Sequence, residues 1–321
     1  MNEVPAEFPV EQGQTATTRT WPDSERDDKS VRTRWFRGAA SQGAARRLLL
    51  RALASRRVQL TGSFILLLIA VAILAPVISP HDPLQMNPPM RLRPPGPEYL
   101  LGTDEFGRDV LSRILWGARV SLGVGATSVA LAAFGGVTLG VLAGYFGGLV
   151  DTVIMRLLDV LLSVPPILLA IAMAGFAGHS SVILVLVLGL LYVPRFGRVI
   201  YGSVQSVKQN PYVEASRAIG ATHLHIILEH ILPNIFALIV IQITLNIGFL
   251  ILLEAGLSFL GLGTVPPTPS WGTMIAAARD YMEQAPFLVI WPSLAVALTV
   301  LSFNVLGDGL RDALDPRLRD V

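Results

Sequence analysis

Six long runs of apolar residues narrow what this chain can fold into more than any other feature. They are Leu60–Ile78, Val120–Gly144, Thr152–Phe176, Val182–Tyr201, Ile235–Leu257 and Leu288–Leu306. About 20 such residues, rising 1.5 Å each, match the ~30 Å hydrocarbon layer of a bilayer. No water is available there to satisfy backbone groups, so a spanning segment of this kind is a helix. The expected architecture is an all-α polytopic membrane protein with six transmembrane helices. Composition agrees: 52% of residues are apolar and 15% are charged, against about 25% charged in soluble domains. Arg156 and Asp159 in the third run, and Pro194-Arg195 in the fourth, blur the limits of those two spans.

Several chemistries are excluded at once. The chain has no cysteine, hence no disulfide framework, zinc-thiolate site or cysteine nucleophile. Only Lys29 and Lys208 are lysines. A phosphate-binding P-loop needs Gly-Lys followed by Ser or Thr. Lys208 is followed by Gln209, and Lys29 is preceded by Asp28. If ATP drives this protein, another polypeptide binds the nucleotide. No Ser-His-Asp arrangement and no metal-ligand cluster is signalled, so no catalytic group, metal or cofactor is expected. The small basic excess, a net charge of +2, reads as anchoring at a cytoplasmic membrane surface, not as nucleic-acid binding.

Basic residues also orient the spans. On one side lie the first 58 residues, the 202–234 connection, the end of span four and the tail after 307, with 18 of the 25 Lys and Arg between them. The opposite side holds five, which places both termini in the cytoplasm. Residues 1–58 then form a basic, partly disordered cytoplasmic tail, 59–309 the transmembrane domain and 310–321 a second tail. The first apolar run starts too late, and lacks a small-residue cleavage site, for a signal peptide. Two connections face outward. Segment 79–118 begins with a proline-rich stretch and continues as an amphipathic run to Arg119, capped by Thr103 or Asp104 and expected to lie along the membrane surface. Loop 258–287 carries a short helix near Trp271–Met282.

The cytoplasmic connection, 202–234, is the most informative polar segment. Asn210-Pro211 starts a helix and Gly220 stops it. A second short helix runs from about Thr222 to Leu232, before Pro233 opens the next span. The first helix surrounds one acid, Glu214, with Ala215, Ser216 and Ala218. Small side chains let another protein approach the backbone closely, where a helix built only for solubility would carry more charge.

Glu214-Ala215-Ser216, then Gly220, then Leu232-Pro233, resembles the E-A-A…G…L-P loop of ABC importer permeases. Ser216 stands in place of Ala, and His230 where many members have an apolar residue. Three more segments are similar to signatures of the dipeptide/oligopeptide/nickel branch, in its second, C-type permease subunit. They are Gly102–Leu122, Glu254–Gly263 and Gly307–Arg317. The resemblance implies the type I importer permease fold in a bacterial plasma membrane. It also implies a homologous permease subunit beside this one and an extracytoplasmic substrate-binding protein docked on the two outside loops. ATP-binding subunits, or a fused ATPase, would couple through Glu214, Ala215, Ser216, Arg217, Gly220, Leu232 and Pro233. The implied cargo is a dipeptide or oligopeptide. A nickel or glutathione-like ligand is the alternative within the family, and an ion-coupled secondary transporter is the alternative outside it.

Three further features stand out. Gly136, Gly140, Gly144 and Gly148 form a ridge with four-residue spacing, suited to close helix packing. Asp159 is a candidate gate or pathway residue, with Arg156 three positions earlier as its expected ion-pair partner. Glu254, at the outer end of span five, is expected either to line the mouth of the pathway or to brace the 258–287 loop. His223, His225 and His230 read as polar surface of the cytoplasmic loop.

Overall fold

A computed structural model of the chain describes residues 55–177 and 180–314. The basic tail up to Ala54, His179 and the residues after Leu314 lie outside that range, as does the end of the Gly307–Arg317 signature. Among the described residues ten α-helices follow in order: α1 Arg56–Ile78, α2 Val110–Phe146, α3 Gly148–Ser163, α4 Pro166–Ala177, α5 Ser181–Lys208, α6 Pro211–Ala218, α7 His223–Ile226, α8 Leu232–Phe259, α9 Trp271–Ala278 and α10 Phe287–Leu314. A π-helical turn, Ile227–Ile231, runs α7 into α8 without a break. Among the described residues the β-structure is one isolated bridge, Thr103 to Asp109.

Five of these elements, α1, α2, α5, α7 with α8, and α10, are long and apolar enough to cross a membrane. A sixth span exists if α3 and α4 count as one, with a bend of 87° between them. The cause of the bend is local. Pro165 and Pro166 are adjacent, so two backbone donors are missing and their rings clash with the preceding turn.

The second span differs most from expectation. The amphipathic run before Arg119 is not a separate surface helix. From Val110 onward it is the first part of α2, a single helix of 37 residues. Its cap is Asp109, whose side chain accepts from Ser112 N, and not Thr103 or Asp104. The polar face turns inward: Arg108, Asp109, Ser112 and Arg113 are buried, while Phe106 is exposed. The physical reason is that the proline-rich segment folds back over this face and supplies it with partners, described below.

The molecule is organised around the contact of α2 with α5. A Cβ added at Gly136 would stand 2.3 Å from Phe196 Cβ and 2.8 Å from the Val193 carbonyl oxygen. At Gly140 it would meet the Gly197 carbonyl at 2.6 Å, and at Gly144 Val204 Cβ at 2.8 Å. Lipid tails are as apolar as leucine, so helices in a bilayer associate through such close packing and not through burial from water. Gly148 does not belong to this ridge. It begins α3 with φ +57° and has nothing within 4 Å of a would-be Cβ. Around the α2–α5 axis, α8 closes one apolar cluster that includes Val129, Leu188, Phe196 and Leu250. A second cluster joins α1, α9 and α10 to the other side of α2 and α8 through Ile65, Trp271, Val296 and Phe303.

Gly136→Ala should therefore cost about 1–3 kcal/mol through overpacking against backbone. Gly123→Ala, in the same helix but facing open space, should be neutral or slightly stabilising. Heat-induced loss of the monodisperse purified protein, followed for both variants, checks this contrast.

Candidate functional site

The inner loop is built from α6 outward. Asn210 is extended at ψ 140°, Pro211 occupies the first turn and the helix lasts eight residues. Its end is a Schellman motif: Ala221 N donates to the Ser216 carbonyl at 3.1 Å and Gly220 N to that of Arg217 at 3.0 Å. The motif needs a left-handed residue, and Gly220 supplies it at φ +80°. One side chain, Val213, is fully buried, in a cluster with Val141, Ile200, Ile226 and Ile235. Glu214, Ala215, Arg217, Ala218, Ile219 and Gly220 are exposed. The helix is thus fixed to the body along one line and presents acid, methyl groups and the 86%-exposed Ile219 outward.

Polar contacts then tie α6 to the spans. Ser216 Oγ donates to the Tyr212 carbonyl at 2.9 Å, which uses its only proton. The 2.9 Å contact between Ser216 Oγ and His230 Nε2 is therefore donated by the imidazole. Arg217 lies over the Tyr145 ring at 5.1 Å, and Tyr145 Oη is 2.9 Å from His223 Nδ1. Two of the three loop histidines thus link α6 and α7 to α2 and α8 instead of simply decorating a surface. Leu232 and Pro233 start α8, Leu232 against the Val213 cluster and Pro233 exposed. The sequence signal for the Ser216–His230 contact was present: these are the two positions at which the loop departs from the family pattern. What placed them together, the extra residue of the π turn, was not readable.

Asp159, on α3, pairs with Arg198 of α5 and not with Arg156 of its own helix. The pair is substantially exposed, at 55% for Arg198 and 37% for Asp159. It joins the broken span to the central helix pair.

Glu254 is fully buried at the outer end of α8. Its carboxylate accepts from Ser258 Oγ at 2.8 Å, Ser270 Oγ at 3.1 Å and Ser121 Oγ at 3.1 Å. Ser270 also caps α9 in a capping box with Thr273, and Ser121 Oγ receives the Trp271 backbone N–H at 3.2 Å. One carboxylate therefore gathers α2, α8 and the start of α9. Trp271 adds a bond from Nε1 to the Ile114 carbonyl at 3.1 Å. The geometry is that of a brace under the 258–287 loop.

A second buried carboxylate, Asp104, organises segment 79–118. It accepts from Phe106 N and Arg108 N at 2.9 Å and from Arg108 Nε at 2.6 Å, with Arg113 Nε at 3.3 Å. Arg108 also reaches Glu105 at 3.0 Å, and Arg113 donates to the Pro83 carbonyl at 3.1 Å. Burial first, and the neighbouring Asp104 second, push the Glu105 carboxyl above its ordinary value, with Arg108 pulling the other way.

Replacing Glu254 by Leu should strand three buried hydroxyls and cost about 2–4 kcal/mol, whereas Glu254→Gln keeps an acceptor and should cost less. Thermal stability and protease cleavage within 260–270 measure both. For Glu105 the folded state holds the proton more tightly than the unfolded chain. Its contribution is present at low pH and is lost as pH rises above the ordinary glutamate range. Glu105→Gln should flatten that fall, which stability curves taken from pH 4 to 8 (about the span that titrates glutamates) would reveal as a pH-dependent difference from wild type.

Comparisons with known proteins show the family and the fold. Residues 136–320 match the family described as binding-protein-dependent transport system inner membrane component. Residues 46–95 match the N-terminal transmembrane domain of oligopeptide transport permease C. The glutathione transport system permease protein GsiD of Pectobacterium atrosepticum is 44% identical, over 91% of this chain and 94% of its own length. The dipeptide transport system permease protein DppC of Alkalihalophilus pseudofirmus is 43% identical, over 78% and 83%. The di/tripeptide permease DppC of Pseudomonas aeruginosa is 42% identical, over 80% and 87%. Among solved structures, an inward-facing MetNI methionine ABC transporter chain shares the fold at TM-score 0.53 and 18% identity, with 63% of this chain and 97% of that one covered. The chain belongs to the binding-protein-dependent transport system inner membrane components, as an ABC importer permease.

Proposed function

We propose that this permease carries dipeptides and short oligopeptides inward as one of two homologous subunits with the pathway between them. ATP is hydrolysed on separate subunits, one of which docks on α6 and its Glu214–Gly220 face. A substrate-binding protein docks on the opposite side, on the Asp104-centred segment and the α9 loop. Both termini are cytoplasmic, in a bacterial inner membrane. The observation that carries this reading is α6 itself. It is a short helix held by one buried valine, ended by a left-handed glycine, with its small and acidic residues facing out. Such a lever can be pushed as a unit, and its contacts lead to α2 through Arg217 over the Tyr145 ring and to the π turn before α8 through Ser216 and His230. Asp159 with Arg198 would then be a contact that the movement of α3 against α5 makes or breaks.

Glutathione is a second cargo worth testing, because the GsiD relative matches at 44% identity over nearly its whole length. It is itself a tripeptide, so the two readings share one chemistry and separate by competition between labelled glutathione and dipeptides.

The test is uptake into proteoliposomes containing the assembled complex, its binding protein and internal ATP. Gly220→Val forces a β-branched residue into the left-handed region, about 1–2 kcal/mol of strain at the helix end. It should lower uptake and peptide-stimulated ATPase activity at least ten-fold, while Gly220→Asn, which tolerates that conformation, should keep most of both. If both activities survive Gly220→Val in a complex expressed at normal levels, α6 is not the coupler.

A further inference from the structure

Arg195 lies midway along the 28 residues of α5, inside the span and not at its cytoplasmic end, where the count of basic residues puts it. At 1.5 Å per residue it is about 20 Å from either end, well inside a hydrocarbon layer about 30 Å thick. It is exposed in the isolated subunit, on an open side of α5 that it shares with Arg198 and Gly202. Two guanidinium groups therefore share the middle of one open face. Arg198 has its counter-ion in Asp159. For Arg195 no carboxylate lies within ion-pair distance among the described residues. Its guanidinium instead rests against the rings of Tyr192 at 5.8 Å and Phe249 at 5.5 Å.

A bare charge facing lipid at this depth is strongly disfavoured, so such residues face a water-filled cavity or a polar partner. The two rings, one from α5 and one from α8, hold the guanidinium with groups of this chain alone; one donor goes to the Tyr192 hydroxyl and the rest of the fork stays open. A planar fork of that kind matches a carboxylate with two parallel hydrogen bonds. With Arg198 neutralised by Asp159, this part of the face carries one net positive charge, which complements the single terminal carboxylate of a peptide.

We propose that Arg195, between Tyr192 and Phe249, binds the C-terminal carboxylate of the cargo as it passes the middle of the membrane. The site selects for anionic peptide ends over amidated ones. This rests on the peptide-import reading above.

The absence of cysteine from the chain provides a direct test in the assembled complex with its binding protein. Arg195→Cys should reduce uptake of a free-acid dipeptide about ten-fold or more, the scale of a lost charge-assisted bidentate contact. Subunit assembly and basal ATPase activity should be unchanged. Aminoethyl methanethiosulfonate, which returns a positive charge, should restore a large part of the uptake, and the neutral methyl reagent should restore none. The membrane-impermeant sulfonatoethyl reagent should reach the introduced thiol, more slowly when peptide and loaded binding protein are present. The wild-type chain treated identically is the control for thiols on other subunits. The proposal is overturned if the neutral reagent rescues as well as the cationic one, if the anionic reagent does not react, or if peptide leaves its rate unchanged. It is also overturned if Arg195→Cys weakens assembly as much as uptake, which would assign the guanidinium to an acid of a neighbouring subunit. A wild-type complex that imports no peptide would instead sink the import reading, independently of Arg195.

Discussion

Close approach of α2 and α5 is the constraint on which the other elements depend. Gly136, Gly140 and Gly144 bring the backbone of α2 against Phe196, Gly197, Ile200 and Val204. In a bilayer this contact is not a by-product of hiding apolar surface, because that surface is already solvated by lipid. It has to be built from dispersion at short range, and only residues without a Cβ allow the distance. Gly197 faces the same seam, where a Cβ would meet Leu158 of α3 at 2.8 Å. The same stretch of α5 that packs on α2 therefore also seats the broken span. The opposite side of α5 is left open, and there the chain can carry charge at mid-depth.

The two ends of this helix pair are fastened differently. At one end, two buried carboxylates act as centres for chain segments that have little regular structure of their own. Asp104 collects backbone and guanidinium donors across the 79–118 segment, and Glu254 collects three serines from α2, α8 and α9. Buried acids are stabilising only when every lone pair finds a donor. Each of these is met by several, so an error in either loop would leave a charge uncompensated. That end of the molecule becomes a rigid plate. At the other end, α6 is held by a single apolar anchor and a few hydrogen bonds, so it can move as a body at small cost.

What the sequence disclosed follows from these differences. Spans were legible because hydrocarbon thickness imposes a length and an apolar composition that few other contexts demand. The 202–234 loop was legible as a helix because Pro211 and Gly220 bracket it, and a small-residue face is unusual on an exposed helix. The glycine ridge was legible as a spacing, but its fourth member was not. Gly148 keeps the period yet lies beyond the break at Gly147, where the chain turns and the helical face is lost. The segment before Arg119 was misread for a deeper reason. A run with polar residues on one face and apolar ones on the other does not say which face is buried. Arg108 and Arg113 went inside because Asp104 and the Pro83 carbonyl, distant or differently phased in sequence, accept from them, and Asp109 went inside against Ser112 and His81. In the same way, Arg156 is the obvious neighbour of Asp159 along a helix, but Arg198 is the neighbour that the bend at Pro165-Pro166 delivers.

The departures of the inner loop from its family pattern carry the last step of this argument. Taken singly, a serine for an alanine on α6 and a histidine for an apolar residue before α8 are each slightly unfavourable. Serine competes for the helix backbone, and a histidine in the last turn before a span exposes a polar ring. Taken together they cancel, because Ser216 Oγ spends its proton on the Tyr212 carbonyl and then accepts from His230. The π turn, Ile227–Ile231, inserts the one extra residue that lets His230 point back toward α6 while Ile231 stays buried. Where an apolar side chain could offer only a hydrophobic contact, His230 makes a hydrogen bond with a fixed direction. A bond of that kind resists rotation of α6 about its own axis more than sliding along it. Force applied to the Glu214–Gly220 face would then reach α8 as a shift of the whole helix, with Tyr145 and His223 passing the same shift to α2.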